Sequence, residues 1–154
     1  MFVVKKIKIR NMISFKLLTE SNKADIIPFL SLLNEKIGKD ILESRLTEMF
    51  TPGYQCVGIY NTEKLVGICG LWIITKYYVG RHIEPDNVII HPDHRGEGIG
   101  EALMQWIYDY AIAQNCIASE LNCYVTNHGG QKFWINQGYK VIGFHYQKTL
   151  TPSS

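Results

Sequence analysis

The stretch "HPDHRGEGIGEALMQW", His91 to Trp106, decides the reading of this chain. Gly96, Gly98 and Gly100 stand at alternate positions, between the apolar run "NVII" and a segment whose residues Ile99, Leu103, Trp106, Ile107 and Tyr110 recur at helical spacing. The pattern is strand, bare turn, helix. A helix start leaves amide N–H groups without intrahelical partners at the positive end of its dipole, and glycine keeps side chains away from them. Such a place suits a phosphate group.

Spacing separates the known phosphate loops. An ATP loop needs G-x-x-x-x-G-K-[ST], and Gly100 is followed by Glu101 and Ala102, with neither a lysine nor a hydroxyl. A dinucleotide fingerprint needs G-x-G-x-x-G, and the run from Gly96 to Glu101 breaks that register. Glu120 does lie about 20 residues on, where a ribose-binding acid would stand. A glycine turn that only reverses the chain is the plainer alternative.

Upstream, "ISFKLLT" reads as a strand, and Ile26, Ile27, Leu30 and Leu33 follow a helical pattern that Pro28 interrupts, predicting a kink or two short pieces. A second helix over "DILESRLTEMF" stops at Thr51-Pro52-Gly53. "YQCVGIY" and "KLVGICGLWIITKYYV", joined by "NTEK", form a hairpin, and "DNVIIH" is a further strand. Downstream, the helix runs to about Gln114, "ASELNCYVTN" is a strand, "GGQKFWINQG" is a short helix closed by Gly138, and "YKVIGFHYQKTL" alternates as a last strand. The order β, α, α, β, β, β, α, β, α, β predicts an α/β (α+β) fold, with a mixed, largely antiparallel central sheet flanked by helices.

A chain of 154 residues is long enough for one domain, and a formal charge of +2 gives no reason to expect nucleic acid as a partner. Cys56, Cys69, Cys116 and Cys123 form no C-x-x-C pair and lie in apolar or strand-like runs, as buried free thiols do in a reducing compartment. The start "MFVVKKIKIR" has lysines where a signal peptide needs its apolar segment, and no run reaches the ~18 apolar residues of a membrane span. A cytoplasmic protein is expected, with no membrane partner. Residues 1–12 read as an extension, in which "KKIKIR" is either an edge strand or loose chain, and residues 13–154 as the domain.

Arg95-Gly96-Glu97-Gly98-Ile99-Gly100, between "NVIIHPDH" and "EALMQWIYDYA", closely resembles the [QR]-x-x-G-x-[GA] signature of the GNAT superfamily of acyl-CoA-dependent N-acetyltransferases. The family's second pattern, N-x-x-A-x-x-F-Y-x-x-x-G-[FY], is matched by Asn127, Gly130, Phe133, Trp134, Gly138 and Tyr139. The likeness covers roughly Ile13 to Leu150. It implies acetyl-CoA as co-substrate, with its pyrophosphate on the amides of Arg95, Gly96, Glu97, Gly98, Ile99 and Gly100. The backbone of Val88, Ile89 and Ile90 would face the pantetheine, in a cleft where this strand and the next, near Tyr124 and Val125, splay apart. Asn127 would make a polar contact to the cofactor, with Phe133 packed beside it. The resemblance further implies acetyl transfer to a primary amine, in this case of a small-molecule acceptor, by direct attack without a covalent enzyme intermediate. Homodimers are common in the family. The segments "ELN", "FWINQGY" and "FHYQKTL" look like the tail of aminoalkylphosphonate and aminoglycoside acetyltransferases.

A lysine-like amine with a pKa of ~10.4 is neutral in only about one molecule in a few thousand at pH 7, so a base helps its attack greatly. Glu84 and Asp86, two apart before "NVII", are the candidates by position, since family members often carry an acidic residue here. An exposed acidic turn is the plainer reading. Pro85 between them signals an edge or a bulge. Trp134 departs from the family's usual tyrosine, which protonates the leaving sulfur, because an indole N–H cannot act as a general acid near neutrality. Thiolate is nonetheless a tolerable leaving group, so activity is still expected. Cys123, Tyr124, His128 and His145 are the other candidates for the acid's part. Trp134 also keeps open a second reading, a non-catalytic acyl-CoA-binding module of the same fold, and a third is a nucleotide-binding protein that uses the glycine loop. His82, His91, His94 and Asp93 fit no familiar zinc spacing, and no metal is expected.

Overall fold

The computed structural model describes residues 12–151, which form two compact units dividing between Leu121 and Asn122. The "KKIKIR" segment lies outside the described residues.

The first unit is built on a five-stranded sheet in the order β1 (Ile13–Leu18), β2 (Gln55–Asn61), β3 (Lys64–Lys76), β4 (Gly80–Ile90), β5 (Ala118–Ser119). The first three pairings are antiparallel and the last is parallel. The expected hairpin is β2–β3, closed across the Asn61↔Lys64 pair so tightly that Thr62 takes φ 58°. Alternation sends Cys56 and Tyr60 of β2 to one face, with Ile68 and Ile89. There they meet Ile26, Phe29 and Leu30 of α1 (Lys23–Leu33) and Leu42 and Leu46 of α2 (Lys39–Phe50). The opposite face carries α3 (Ile99–Ala113), whose Trp106 ring lies 5.9 Å from Phe15 and whose Tyr110 hydroxyl donates to Gln55 at 2.9 Å.

Helix α1 runs unbroken through Pro28, so the expectation of two short pieces does not hold. The amide missing at Pro28 would have served the carbonyl of Ala24. Both residues lie on the exposed side, where water reaches that carbonyl, while Ile26, Phe29 and Leu30 hold the buried side together.

Strand β4 begins at Gly80, six residues before the expected start, because Arg81, His82 and Glu84 hide a strand in which Ile83 and Pro85 are buried. Between the pairs Gly70↔Asp86 and Ile68↔Ile89, β4 spends one residue more than β3, and Asn87 within that bulge has φ 52°. Gly70 makes room for it. A Cβ there would stand 2.5 Å from the Tyr54 hydroxyl and 2.9 Å from the Asp86 carbonyl oxygen. Gly70→Ala is therefore expected to cost about 1–3 kcal/mol, read as an earlier midpoint in chemical denaturation. A wild-type midpoint would show that the sheet relaxes freely at the bulge.

The parallel ladder between β4 and β5 is short. Ile117 N–H donates to Arg81 O at 2.9 Å and Glu120 N–H to Ile83 O at 3.0 Å, so the odd residues of β4 turn their backbone groups toward β5. Pro85 is the next in that series and has no N–H to offer. Beyond it, β4 has no β5 partner among the described residues.

In the second unit, Asn127 caps α4 (His128–Asn136) through its Oδ1, which accepts the Gly130 N–H at 2.9 Å. Gly138, with φ 91°, closes the helix by donating to Ile135 O, as its sequence predicts. Two expected strands are not formed as read. "ASELNCYVTN" contributes only Ala118 and Ser119 to the sheet, and "YKVIGFHYQKTL" forms no strand among the described residues. Val141, Ile142, Phe144 and Tyr146 are all exposed. Alternation says which side chains could share a face, but a strand also needs a neighbour for its amides.

Candidate active site

Glu84 and Asp86 lie on one face of β4, paired in register with Trp72 and Gly70 of β3, and the bulge begins only after them. Their surroundings differ. The Asp86 oxygens hold the bulge: Oδ1 accepts the Asn87 N–H at 2.9 Å and Oδ2 accepts the Trp72 indole N–H at 3.2 Å. The Trp72 ring packs at a tilt against Tyr54, 5.2 Å away, and Tyr54 meets Phe50 edge-on at 5.3 Å. The Tyr54 phenol is pushed well above its ordinary range, first by burial and then by the nearby Cys56. Burial likewise pushes the Cys56 thiol up to about 12. Both are neutral groups at physiological pH and offer the site no charge.

Glu84 sits among cations. Its Oε1 lies 2.6 Å from Lys76 Nζ and 2.9 Å from Nε2 of His82, a fully buried imidazole. Burial on its own would raise the Glu84 carboxyl, but the hydrogen bonds from Lys76 and His82 outweigh it and hold the group below the usual carboxylate range. The Lys76 ammonium is held above its ordinary value, chiefly by that same hydrogen bond. Glu120 completes the cluster, with Oε2 at 3.6 Å from Lys76 Nζ and 3.8 Å from His82 Nε2. The Tyr78 hydroxyl donates to the same Oε2 at 2.6 Å, and this carboxylate raises the phenol.

His82, Glu84 and Glu120 bring three ligand atoms within 4.8 Å of one another, close enough to hold a metal ion. The Lys76 ammonium already bonds one of these carboxylates and approaches the other, which makes the trio an ion-pair cluster in its present form. His91, Asp93 and His94 serve the loop: His91 Nδ1 accepts the Asp93 N–H at 3.3 Å, and His94 lies 3.8 Å from Glu97.

The sequence reading of the site missed Lys76, Tyr78, His82 and Glu120 as partners of Glu84. The alternation of His82 and Glu84 about a buried Ile83 was the available signal. The contact between Tyr78 and Glu120 spans 42 positions and leaves no local pattern.

After β4 the chain makes a single 3-10 turn, Pro92–His94, and enters α3 through the glycine loop. Gly96 and Gly98 take φ 76° and 77°, the left-handed region that glycine occupies without cost. Gly98 is the N-cap and has no side chain to bond the first-turn amides of α3. The space above Gly96 is open, and only the Glu101 carboxylate, at 3.9 Å, stands where a Gly98 Cβ would point. The Arg95 amide turns back to Pro92 O and its Nε donates to Ile90 O at 3.0 Å, so Arg95 does not offer its own N–H to a ligand. Open amides and glycines at a helix start fit the pyrophosphate of a coenzyme. Val88, Ile89 and Ile90 lie in the last part of β4, which has no β5 partner.

In the second unit, the oxygen of the Asn127 side chain is committed to its own helix. Trp134 packs edge-on against Phe133 at 4.9 Å and Tyr139 at 5.6 Å. Tyr124 is exposed in a turn, and burial raises the Cys123 thiol, which makes it a weaker acid.

A model of the acetyltransferase (GNAT) family matches residues 26–139, most of the chain. The chain belongs to the GNAT family of acetyltransferases. Acetyl-CoA is the co-substrate of that family. The chain is 27% identical over 67 residues to the aminoalkylphosphonate N-acetyltransferase of Salmonella typhimurium, and the match spans 44% of each protein, less than half the length of that relative. Among solved structures, the GNAT chain resembles the ribosomal-protein-alanine N-acetyltransferase from Brucella melitensis biovar Abortus 2308, with a TM-score of 0.76 at 21% identity over 90% of this chain and 99% of that one. It also resembles an aminoglycoside acetyltransferase from an uncultured soil metagenomic sample in complex with sisomicin, with a TM-score of 0.79 at 13% identity over 93% and 99% of the two chains. At these identities the two structures speak for the fold alone. Among the described residues, no helix of this GNAT protein is long and apolar enough to cross a membrane.

Proposed function

We propose that the protein transfers an acetyl group from acetyl-CoA to a primary amine of a small molecule, with Glu84 as the base that takes the amine's proton. The observation that carries this reading is the Glu84 carboxylate itself. It is kept ionised, it lies on the strand that leads into the glycine loop, and it already binds an ammonium group at 2.6 Å. Asp86 has both oxygens engaged in holding the bulge, whereas the contacts of Glu84 with Lys76 and His82 fall on Oε1. Arg95 and the amides from Gly96 to Gly100 would hold the pyrophosphate, and the backbone from Val88 to Ile90 the pantetheine. Asn127 and Phe133 are proposed to complete the cofactor's contacts, as the family pattern suggests. The similarity to an aminoalkylphosphonate N-acetyltransferase supports a small acceptor.

Trp134 favours a second reading, an acyl-CoA-binding module without turnover, because its indole cannot protonate a leaving thiolate. Release of free thiol from acetyl-CoA, measured against a panel of aminoalkylphosphonates, aminoglycosides and simple amines, separates the two. Acceptor-dependent release is expected from at least one small amine. Tight acetyl-CoA binding with no release from any amine would establish the module instead.

A further inference from the structure

His82 presents a hydrogen-bonding problem that the pairing of Glu84 with Lys76 does not solve. Its Nδ1 lies 3.0 Å from the carbonyl oxygen of Gly80, which can only accept, so Nδ1 carries a proton. A neutral imidazole has one N–H, which would leave Nε2 as a bare acceptor. Yet Nε2 faces Glu84 Oε1 at 2.9 Å, and Glu120 Oε2 lies 3.8 Å away on the same nitrogen. An acceptor cannot meet an ionised carboxylate at that distance in a fully buried position, so one further proton belongs between Nε2 and Oε1. With that proton on Nε2, the imidazole and Lys76 are cations, Glu84 and Glu120 are anions, and the four side chains sum to zero charge. No ion from outside is needed to balance them.

The cluster also has a direction. Glu84 stands two residues before the bulge, the buried imidazole lies next to it, Glu120 is the second carboxylate on the same nitrogen, and Tyr78, whose hydroxyl bonds Glu120 at 2.6 Å, is exposed to solvent. We propose that His82 holds Glu84 in position as a carboxylate and relays a proton from it to Glu120, which passes a proton to solvent beside Tyr78. The proposal rests on Glu84 being the base. The protons balance: with the amine in the place of the Lys76 ammonium, its nitrogen loses one to Glu84 Oε1 as it bonds the acetyl carbon, and Nε2 gives its own proton to Glu120 Oε2. Nε2 is then reprotonated from Glu84, and Glu120 releases its proton to water. At the end His82 and both carboxylates are as they began.

Two measurements test this. The first needs no acceptor: in 15N-histidine-labelled protein at pH 7, with the His82 signals assigned by their loss in His82→Gln, both ring nitrogens of His82 should carry protons. In Glu84→Gln, whose amide can donate, Nε2 should lose its proton. A bare Nε2 in the wild type, or no change in Glu84→Gln, overturns the positioning role. The second is kinetic. Glu120→Gln is expected to lower kcat about tenfold or more, with KM for acetyl-CoA unchanged, and the loss should recover as the concentration of a small buffer base such as imidazole rises. A merely structural defect would not respond to buffer. Wild-type turnover in Glu120→Gln, or a loss that buffer does not relieve, overturns the exit route. Full turnover in Glu84→Gln would instead remove Glu84 as base, and the resonances of the resting protein would still decide how His82 is held.

Discussion

Replacing Glu84 by glutamine is expected to lower kcat/KM for the acceptor amine by about 10² to 10⁴, while acetyl-CoA binds as before. The amide keeps the shape of the carboxylate and some of its hydrogen bonds but cannot accept the amine's proton. The pH dependence is equally specific. Because Lys76 and His82 hold the carboxyl below its ordinary range, Glu84 is ionised throughout the neutral region, and the rise of wild-type kcat/KM with pH follows the amine's loss of its proton. The Glu84→Gln profile should rise in parallel, displaced downward. Stability carries the same sign. A depressed carboxyl pKa contributes stability that is present above the unfolded value of about 4.3 and is lost as pH falls through the lower folded value. Denaturation midpoints of wild type and variant should therefore differ most near neutrality and converge in acid. Stopped-assay kinetics across pH and parallel denaturation curves check both statements. An undiminished rate would move the search for the base to Asp86.

The other large effect belongs to the glycine loop. Gly98→Val places a β-branched residue at φ 77°, at the N-cap of α3 and beside the Glu101 carboxylate. Backbone strain of about 1–3 kcal/mol is expected, together with a loss of acetyl-CoA affinity of at least about tenfold, one hydrogen bond's worth to a charged group. Gly96→Ala is the useful comparison. It meets the same left-handed backbone but open space, so its strain should be similar and its effect on affinity smaller. Calorimetric titration of the two variants with acetyl-CoA, below their unfolding temperatures, separates strain from obstruction. Equal affinities for the wild type and Gly98→Val would mean that the coenzyme does not use these amides.

Local patterns in the sequence carried the parts of this protein whose causes are local. The glycine loop, the helical stripe of α3, the β2–β3 hairpin and the Gly138 helix end each follow from residues within a few positions of one another. The early start of β4 was hidden because its polar residues, Arg81, His82 and Glu84, read as a turn when His82, Ile83 and Pro85 are not known to be buried. The extent of β5 was hidden for another reason. A parallel ladder ends where the neighbouring strand has no amide to give, and Pro85 lies more than thirty positions before β5. The site divides in the same way. Glu84 and Asp86 were visible as a spaced pair, whereas Lys76, Tyr78, His82 and Glu120 gain their meaning only when three strands lie side by side.

The Lys76 ammonium on Glu84 would give acceptor capture at that carboxylate the character of an ion exchange. Under the proposal that Glu84 is the base, an amine that arrives protonated would take the place of a cation that the protein supplies itself, so the charge of the carboxylate pair would never be left uncovered and the pocket would gain none on filling. Long-range attraction would then contribute little to the encounter, and the shape and polar groups of the rest of the molecule would select one amine over another.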